Sequence, residues 1–233
     1  MVVATYNVHR CIGADGRHEP DRVAAVIREL DADVVGLQEV DAKPHLEAGL
    51  DQVEYLAAAT GLTGIAGPTL TRHYGEYGNA LLTRLAIRGV DLIDLSIARR
   101  EPRGAIDAEV DAHGHRCRVL VTHLGLRRAE RHQQLAHLAA APPRWPGPSI
   151  TVLLGDLNEW IGLRRLARRL PFGFAYGTAR SFPAGRPLLR LDAIAVSPGD
   201  SLEALWAHST PLARLASDHR PVCAAVRLPS IGA

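Results

Sequence analysis

Short apolar runs that stop at an acid, an amide or a histidine recur along this chain, and this feature restricts its fold more than any other. Tyr6-Asn7 ends the run from Val2, and Gln38-Glu39 ends the run from Val34. Thr122-His123 follows Val119-Leu120-Val121, and Gly155-Asp156-Leu157-Asn158 follows Val152-Leu153-Leu154. Asp192 opens an apolar run, and Ser217-Asp218-His219 precedes the last one. Runs of this length, bounded by polar residues, read as buried strands. A buried polar group costs free energy unless it is partnered. One such strand end is ordinarily a turn former or a helix cap. Recurrence at every one of these runs points instead to a cleft shared at the sheet ends.

Segments of helical period lie between the runs. Asp21–Leu30 carries apolar residues at 23, 26, 27 and 30, one face of a helix. Leu50–Thr60 reads as a helix stopped by Gly61, Arg128–Ala141 as one stopped by Pro142-Pro143, and Trp160–Leu170 as another. Strands are expected at Val2–Tyr6, Val34–Gln38, Asn79–Leu82, Ile87–Leu95, Ala105–Val110, Arg118–Thr122, Ile150–Leu154, Leu191–Val196, Leu202–Ala207 and Val222–Leu228. His113-Gly114-His115 reads as a hairpin turn. Adjacent strands around 79–122 and 191–228 require antiparallel pairing. The expected architecture is two sheets packed face to face with helices outside. No linker rich in Gly, Ser or Pro divides the chain, so residues 1–233 are read as one domain.

Composition excludes several classes. No stretch approaches the roughly 20 apolar residues of a membrane helix. Cys11, Cys117 and Cys223 are few and widely spaced, which implies neither a disulfide framework nor a CxxC metal site. The N-terminus enters a strand without a charged and then apolar leader, so a cytoplasmic location is expected. The net charge of +2 and pI of about 8.6 are too mild for a nucleic-acid binder's basic footprint. A Walker A loop is missing, since the sole lysine, Lys43, follows Ala42. No Gly-x-Ser-x-Gly elbow occurs. His113-x-His115 lacks the partners of a zinc site and reads as a hairpin tip.

Asp156-x-Asn158 has the spacing that puts both side chains on one face of an extended segment. There a carboxylate and an amide hold a water or metal and reach a phosphoryl oxygen. Taken alone, a turn with Asn158 capping the next helix explains the pair as well. Glu39 and Ser217-Asp218-His219 are equally ordinary when taken singly. In order, however, Thr5-Tyr6-Asn7, Leu37-Gln38-Glu39, Tyr77-Gly78-Asn79-Ala80-Leu81-Leu82, Thr122-His123-Leu124-Gly125, Leu154-Gly155-Asp156-Leu157-Asn158-Glu159, Leu191-Asp192 and Ser217-Asp218-His219 resemble the endonuclease/exonuclease/phosphatase superfamily. Glu101-Pro102-Arg103-Gly104-Ala105 and Glu130-Arg131-His132-Gln133 resemble a bacterial branch of metal-dependent hydrolases.

The resemblance implies a four-layer α/β sandwich, deoxyribonuclease-I-like, with two sheets flanked by helices. It implies Glu39 as the principal metal ligand, with Asn7 and Asp218 beside it. Such hard oxygens suit Mg²⁺ or Mn²⁺. Asp156 would orient or deprotonate the attacking water. Asn158 and His123 would contact phosphoryl oxygens, and His219, oriented by Asp192, would face the scissile phosphate. Asn79 and Arg103 join the substrate-binding residues, Arg103 as a phosphate contact, and Glu76 would pair with His123. The chemistry is apt, because a cation and fixed donors neutralise the charge that builds during in-line displacement.

The expected activity is hydrolysis of a phosphodiester, with a small or lipid-derived substrate favoured over nucleic acid. The charge is mild, the connections between motifs are compact, and few aromatics offer a stacking platform. Trp-x-Gly-Asp of the inositol-polyphosphate phosphatases is replaced by Leu153-Leu154-Gly155-Asp156, which disfavours a phosphoinositide monoester. A nuclease of the same fold is the first rival. Its support is Arg127, Arg128 and Arg131 after His123, and Arg164, Arg165, Arg168 and Arg169 after Asn158; solvated helix faces explain both groups too. A catalytically inactive binding module is a remoter rival, because Glu39, Asp156, Asn158 and His219 are all in place. No protein partner is evident.

Overall fold

The computed structural model describes residues 1–42, 50–72, 75–143, 147, 149–159 and 174–229. In chain order the elements are β1 (Val2–Asn7), α1 (Pro20–Leu30), β2 (Val34–Ala42), α2 (Gln52–Thr60), β3 (Thr63–Arg72), β4 (Gly75–Thr83), β5 (Ala86–Asp94), β6 (Gly104–Ala112), β7 (His115–His123), α3 (Arg128–Ala140), β8 (Ile150–Asp156), β9 (Ala175–Thr178), β10 (Asp192–Ser197), β11 (Leu202–Ala207) and β12 (Val222–Val226). They form two six-stranded mixed sheets, ordered β11-β12-β1-β2-β4-β3 and β5-β6-β7-β8-β10-β9. β1 and β2 run parallel, as do β7 and β8.

The apolar runs are continuous because both faces of the central strands are covered. Val3, Val34, Leu81 and Val222 of the first sheet meet Ile106, Val119, Val121, Leu154 and Ile194 of the second, all without exposure. On the outer face, Tyr6, Val35 and Leu37 pack under Val23, Val26 and Ile27 of α1 and Leu56 of α2. Across the molecule, Leu120 and Leu153 pack under Leu135 and Leu138 of α3. Helix α2 begins where the Asp51 side chain accepts from Glu54 N at 3.0 Å, and it ends at Gly61 with φ of 71°. The β6–β7 turn has positive φ at both His113 (54°) and Gly114 (87°), which matches the twist of the flanking strands.

Two strands have no counterpart among the sequence expectations. β3 holds Gly64, Gly67 and Pro68 and lies at a sheet edge, with its register shifting after Pro68. Such residues are admitted there because an edge strand needs fewer ladder bonds. β9 is a four-residue edge strand. β2 runs past its expected end through a bulge between Leu37 and Val40, where Glu39 takes φ of 59°. The helix expected at 160–170 and its arginines lie outside the described residues. Among the described residues, no helix is long and apolar enough to cross a membrane.

Candidate active site

Strand register brings the polar ends to one edge of the sandwich. β7 and β8 set His123 opposite Asp156, and antiparallel β10 sets Asp192 opposite Asp156. Gly155 permits the close approach, since a Cβ there would lie 2.3 Å from the Thr122 carbonyl oxygen. In the other sheet, Asn7 ends β1. Its Nδ2 donates to Glu39 Oε1 at 2.9 Å and to Asp156 Oδ2 at 3.2 Å, tying the two sheets together. Ser217 Oγ donates to the Asn7 carbonyl at 2.8 Å, which anchors the turn carrying Asp218 and His219.

Asp156 Oδ2 is the hub. His123 Nε2 lies 3.6 Å from it and His219 Nε2 3.8 Å. His219 Nδ1 meets Asp192 Oδ2 at 2.8 Å, and Phe182 packs on the ring with centroids 4.8 Å apart. Burial alone pulls a histidine pKa down. Here Asp192, Asp156 and Asp218 together outweigh it and push His219 up to about 10. His123 Nδ1 instead faces Arg103 Nη1 at 3.2 Å. Burial, seconded by the Arg103 charge and only partly opposed by Asp156, pulls His123 down to about 4. Burial also raises the Asp156 pKa, against the histidine charges. An imidazolium and a neutral imidazole thus flank one carboxylate.

Asn158, at φ of 50°, reaches back over the site. Its Nδ2 lies 3.1 Å from His123 Nε2 and donates to Leu124 O at 2.9 Å. The Glu130–Gln133 segment fixes the loops around it. Arg131 donates to Leu126 O at 2.6 Å and to Glu159 Oε2 at 2.9 Å, and both charged residues of this pair are buried. Gly125 N donates to Gln134 Oε1 at 2.7 Å. Helix α3 therefore clamps the loop after His123 to the loop after Asp156.

Glu39 and Asp218 are half-buried carboxylates near Asn7. The Asn7 amide is engaged at both ends, because its Oδ1 accepts from His9 N at 3.0 Å. The hard oxygens of Glu39 and Asp218 fit a divalent ion that keeps several waters. Asp156, Asp192 and His219 also offer ligand atoms within 4.8 Å of one another. The His219–Asp192 hydrogen bond engages that group as an oriented imidazole.

Not every expected contact forms. Glu76 sits on β4 opposite Ala42 and Thr71, and the place by His123 Nδ1 expected for it belongs to Arg103. Arg103 is itself buried, with Nη1 3.2 Å from His123 Nδ1. Asn79 Nδ2 donates to Gly104 O at 3.0 Å, while its buried Oδ1 has no partner. Asn79 and Arg103 border a shallow depression with Thr69, Tyr77, Gly78 and His123. Three neighbours were not singled out for a role from sequence. The Tyr77 hydroxyl bonds to Glu39, and burial first and this contact last raise its pKa. His9, at φ of 46°, lies 3.9 Å from Asp218 Oδ1. Phe182 is the third. Tyr77 lies in a quoted motif and His9 two residues after Asn7, so adjacency was the available signal; Phe182 carries none.

The Endonuclease/Exonuclease/phosphatase family model matches residues 4–219. The uncharacterized protein YbhP of Escherichia coli K12 is 32% identical over 243 residues, covering 97% of this chain and 96% of YbhP. A solved endonuclease/exonuclease/phosphatase of Beutenbergia cavernae is 25% identical with a TM-score of 0.77, covering 99% of this chain and 72% of that one. One from Bacteroides vulgatus shares the fold at a TM-score of 0.78 and 20% identity, covering 98% of each chain.

Proposed function

The chain belongs to the endonuclease/exonuclease/phosphatase family, and from that premise we propose that it hydrolyses a phosphodiester, small or lipid-derived rather than nucleic acid, with Mg²⁺ or Mn²⁺. The observation that carries this reading is the hub at Asp156, whose Oδ2 lies 3.6 Å from His123 Nε2 and 3.8 Å from His219 Nε2, with Arg103 backing the first ring and Asp192 the second. A phosphodiester needs a base for water and donors for its oxygens, and the residues around Asp156 are of the types that supply them. Asp156 orients the water and takes its proton, for which its raised pKa suits it. His219, held by Asp192, and His123 with Asn158 donate to the phosphoryl oxygens. Glu39 and Asp218, with the Asn7 tie between Glu39 and Asp156, would hold the cation. Bound there, it would supply Lewis-acid stabilisation of the same oxygens.

The mild net charge supports a compact substrate over nucleic acid. Turnover of duplex DNA, single-stranded RNA, a glycerophosphodiester and a phospholipid, at matched metal and at low and physiological salt, tests the choice. Turnover of one of the last two, little affected by salt, is expected. Efficient, salt-sensitive cleavage of duplex DNA with the others inert would promote the nuclease reading, because counterion release makes DNA binding steeply salt-dependent.

A further inference from the structure

We propose that Arg103 is a positioning residue that locks His123 in the neutral tautomer with its proton on Nε2, so that this ring serves only as a hydrogen-bond donor. The inference rests on the reading of His123 as a phosphoryl contact, but its first test does not.

A guanidinium has five N–H donors and no acceptor. The 3.2 Å contact between Arg103 Nη1 and His123 Nδ1 therefore requires a lone pair on Nδ1. That makes the ring neutral and places its proton on Nε2. Arg103 is 6% exposed, and its charge is offset by Glu101 Oε1 at 3.4 Å from Nη1. Its backbone is pinned too. Leu95 N donates to Arg103 O at 2.8 Å, and Asn79 Nδ2 and Thr122 Oγ1 both donate to Gly104 O at 3.0 Å. The segment that carries the guanidinium is thereby held in place behind His123.

On the other side of the ring, Nε2 lies 3.1 Å from Asn158 Nδ2. Reversing that amide would set Asn158 Oδ1 against the Leu124 carbonyl, which Nδ2 now meets at 2.9 Å. The amide therefore keeps its NH₂ toward the ring. Two donors then converge, and Asp156 Oδ2, 3.6 Å from Nε2, is the acceptor nearest the ring. An anionic phosphoryl oxygen seated there accepts from both, and charge-assisted bonds of this kind are among the strong ones. A carboxylate in the place of Arg103 would do the reverse, taking the Nδ1 proton and leaving a lone pair or an imidazolium facing the phosphate. The low proton affinity of His123 agrees with the arginine arrangement. Asn79 thereby acts through Gly104 on the segment that carries Arg103.

Nitrogen-15 NMR of histidine-labelled, metal-stripped protein at neutral pH reads the tautomer directly, with His123→Asn assigning the signal. The expected ring has a protonated Nε2 and a bare Nδ1. Arg103→Met should mix or reverse the tautomers and lower kcat roughly a hundredfold with KM little changed, the scale of a lost oxyanion donor. Arg103→Lys, also a donor without an acceptor, should restore the wild-type tautomer and part of kcat. A wild-type ring protonated on Nδ1, or on both nitrogens, would overturn the proposal. So would an Arg103→Met variant with the wild-type tautomer. If Arg103→Met does not fold, the wild-type and Arg103→Lys spectra still decide. A correct tautomer in a protein inert toward every phosphoester would instead count against the function proposed above.

Discussion

His123 and His219 stand 3.6 and 3.8 Å from the same Asp156 oxygen and are 7% and 4% exposed. Burial works against protonation of both. Their far sides differ: Arg103 backs one ring, and Asp192 backs the other. The first stays neutral and the second takes a proton. For His123 burial leads and the Arg103 charge adds to it, whereas for His219 the carboxylates outweigh burial.

The largest expected effect comes from breaking the shared hub. Asp156→Asn and His219→Ala should each lose at least about a hundredfold in kcat on a diester such as bis-nitrophenyl phosphate while remaining folded. Near-normal rates in either variant would remove that residue from the mechanism. Asp192→Asn tests the backing of His219 alone and should cost less, on the order of tenfold to a hundredfold, as loss of an orienting partner commonly does. The Asp192→Asn/His219→Ala double variant should be no worse than His219→Ala. Losses that multiply would show that Asp192 acts elsewhere.

The two sides were unequally legible in the sequence. Asp192, Asp218 and His219 sit at strand ends in recognisable segments, and strand register alone brings Asp192, Asp156 and His123 together. The sandwich was legible for a related reason, since strands buried on both faces read as unbroken apolar runs. Edge strands such as β3, with its Gly64, Gly67 and Pro68, bury too little to leave that trace. The far side of His123 was not legible. Arg103 reaches it from the start of β6, twenty residues away, and only tertiary packing makes Arg103 rather than Glu76 its neighbour. The Arg131–Glu159 pair was hidden likewise, because Arg131 reads equally as part of a solvated helix face and only the packing of α3 brings it to Glu159.

That pair offers a smaller effect, confined to the His123 side. Arg131→Met takes the cation from a buried ion pair and loosens the clamp on the loops that follow His123 and Asp156. A stability loss of about 3–5 kcal/mol is typical when one partner of a buried pair is removed. Urea unfolding should register it, and Arg131→Met/Glu159→Gln should recover part of it. Catalysis should fall only severalfold where the protein is folded, with His219 unaffected. An unchanged urea midpoint would mean that the pair contributes nothing to holding the loops.

The smallest expected effect is the most direct contrast between the two rings, and it is read in stability rather than rate. His219 has a folded pKa of about 10 against an ordinary 6.5. Its contribution is fully present below pH 6.5 and is lost as pH rises through about 10. His123 has a folded pKa of about 4 against the same 6.5. Its neutral form is stabilising above pH 6.5, and that contribution is lost as pH falls through about 4. The two rings therefore shape opposite limbs of the stability curve. Thermal unfolding of metal-stripped protein between pH 4 and 10 resolves them by difference. His219→Asn should flatten the alkaline limb and His123→Asn the acid limb of the melting-temperature profile. Asp156 titrates against both rings, so its response appears in both difference curves. If both variants flatten the same limb, the two imidazoles share one protonation state and the contrast drawn from Arg103 and Asp192 fails.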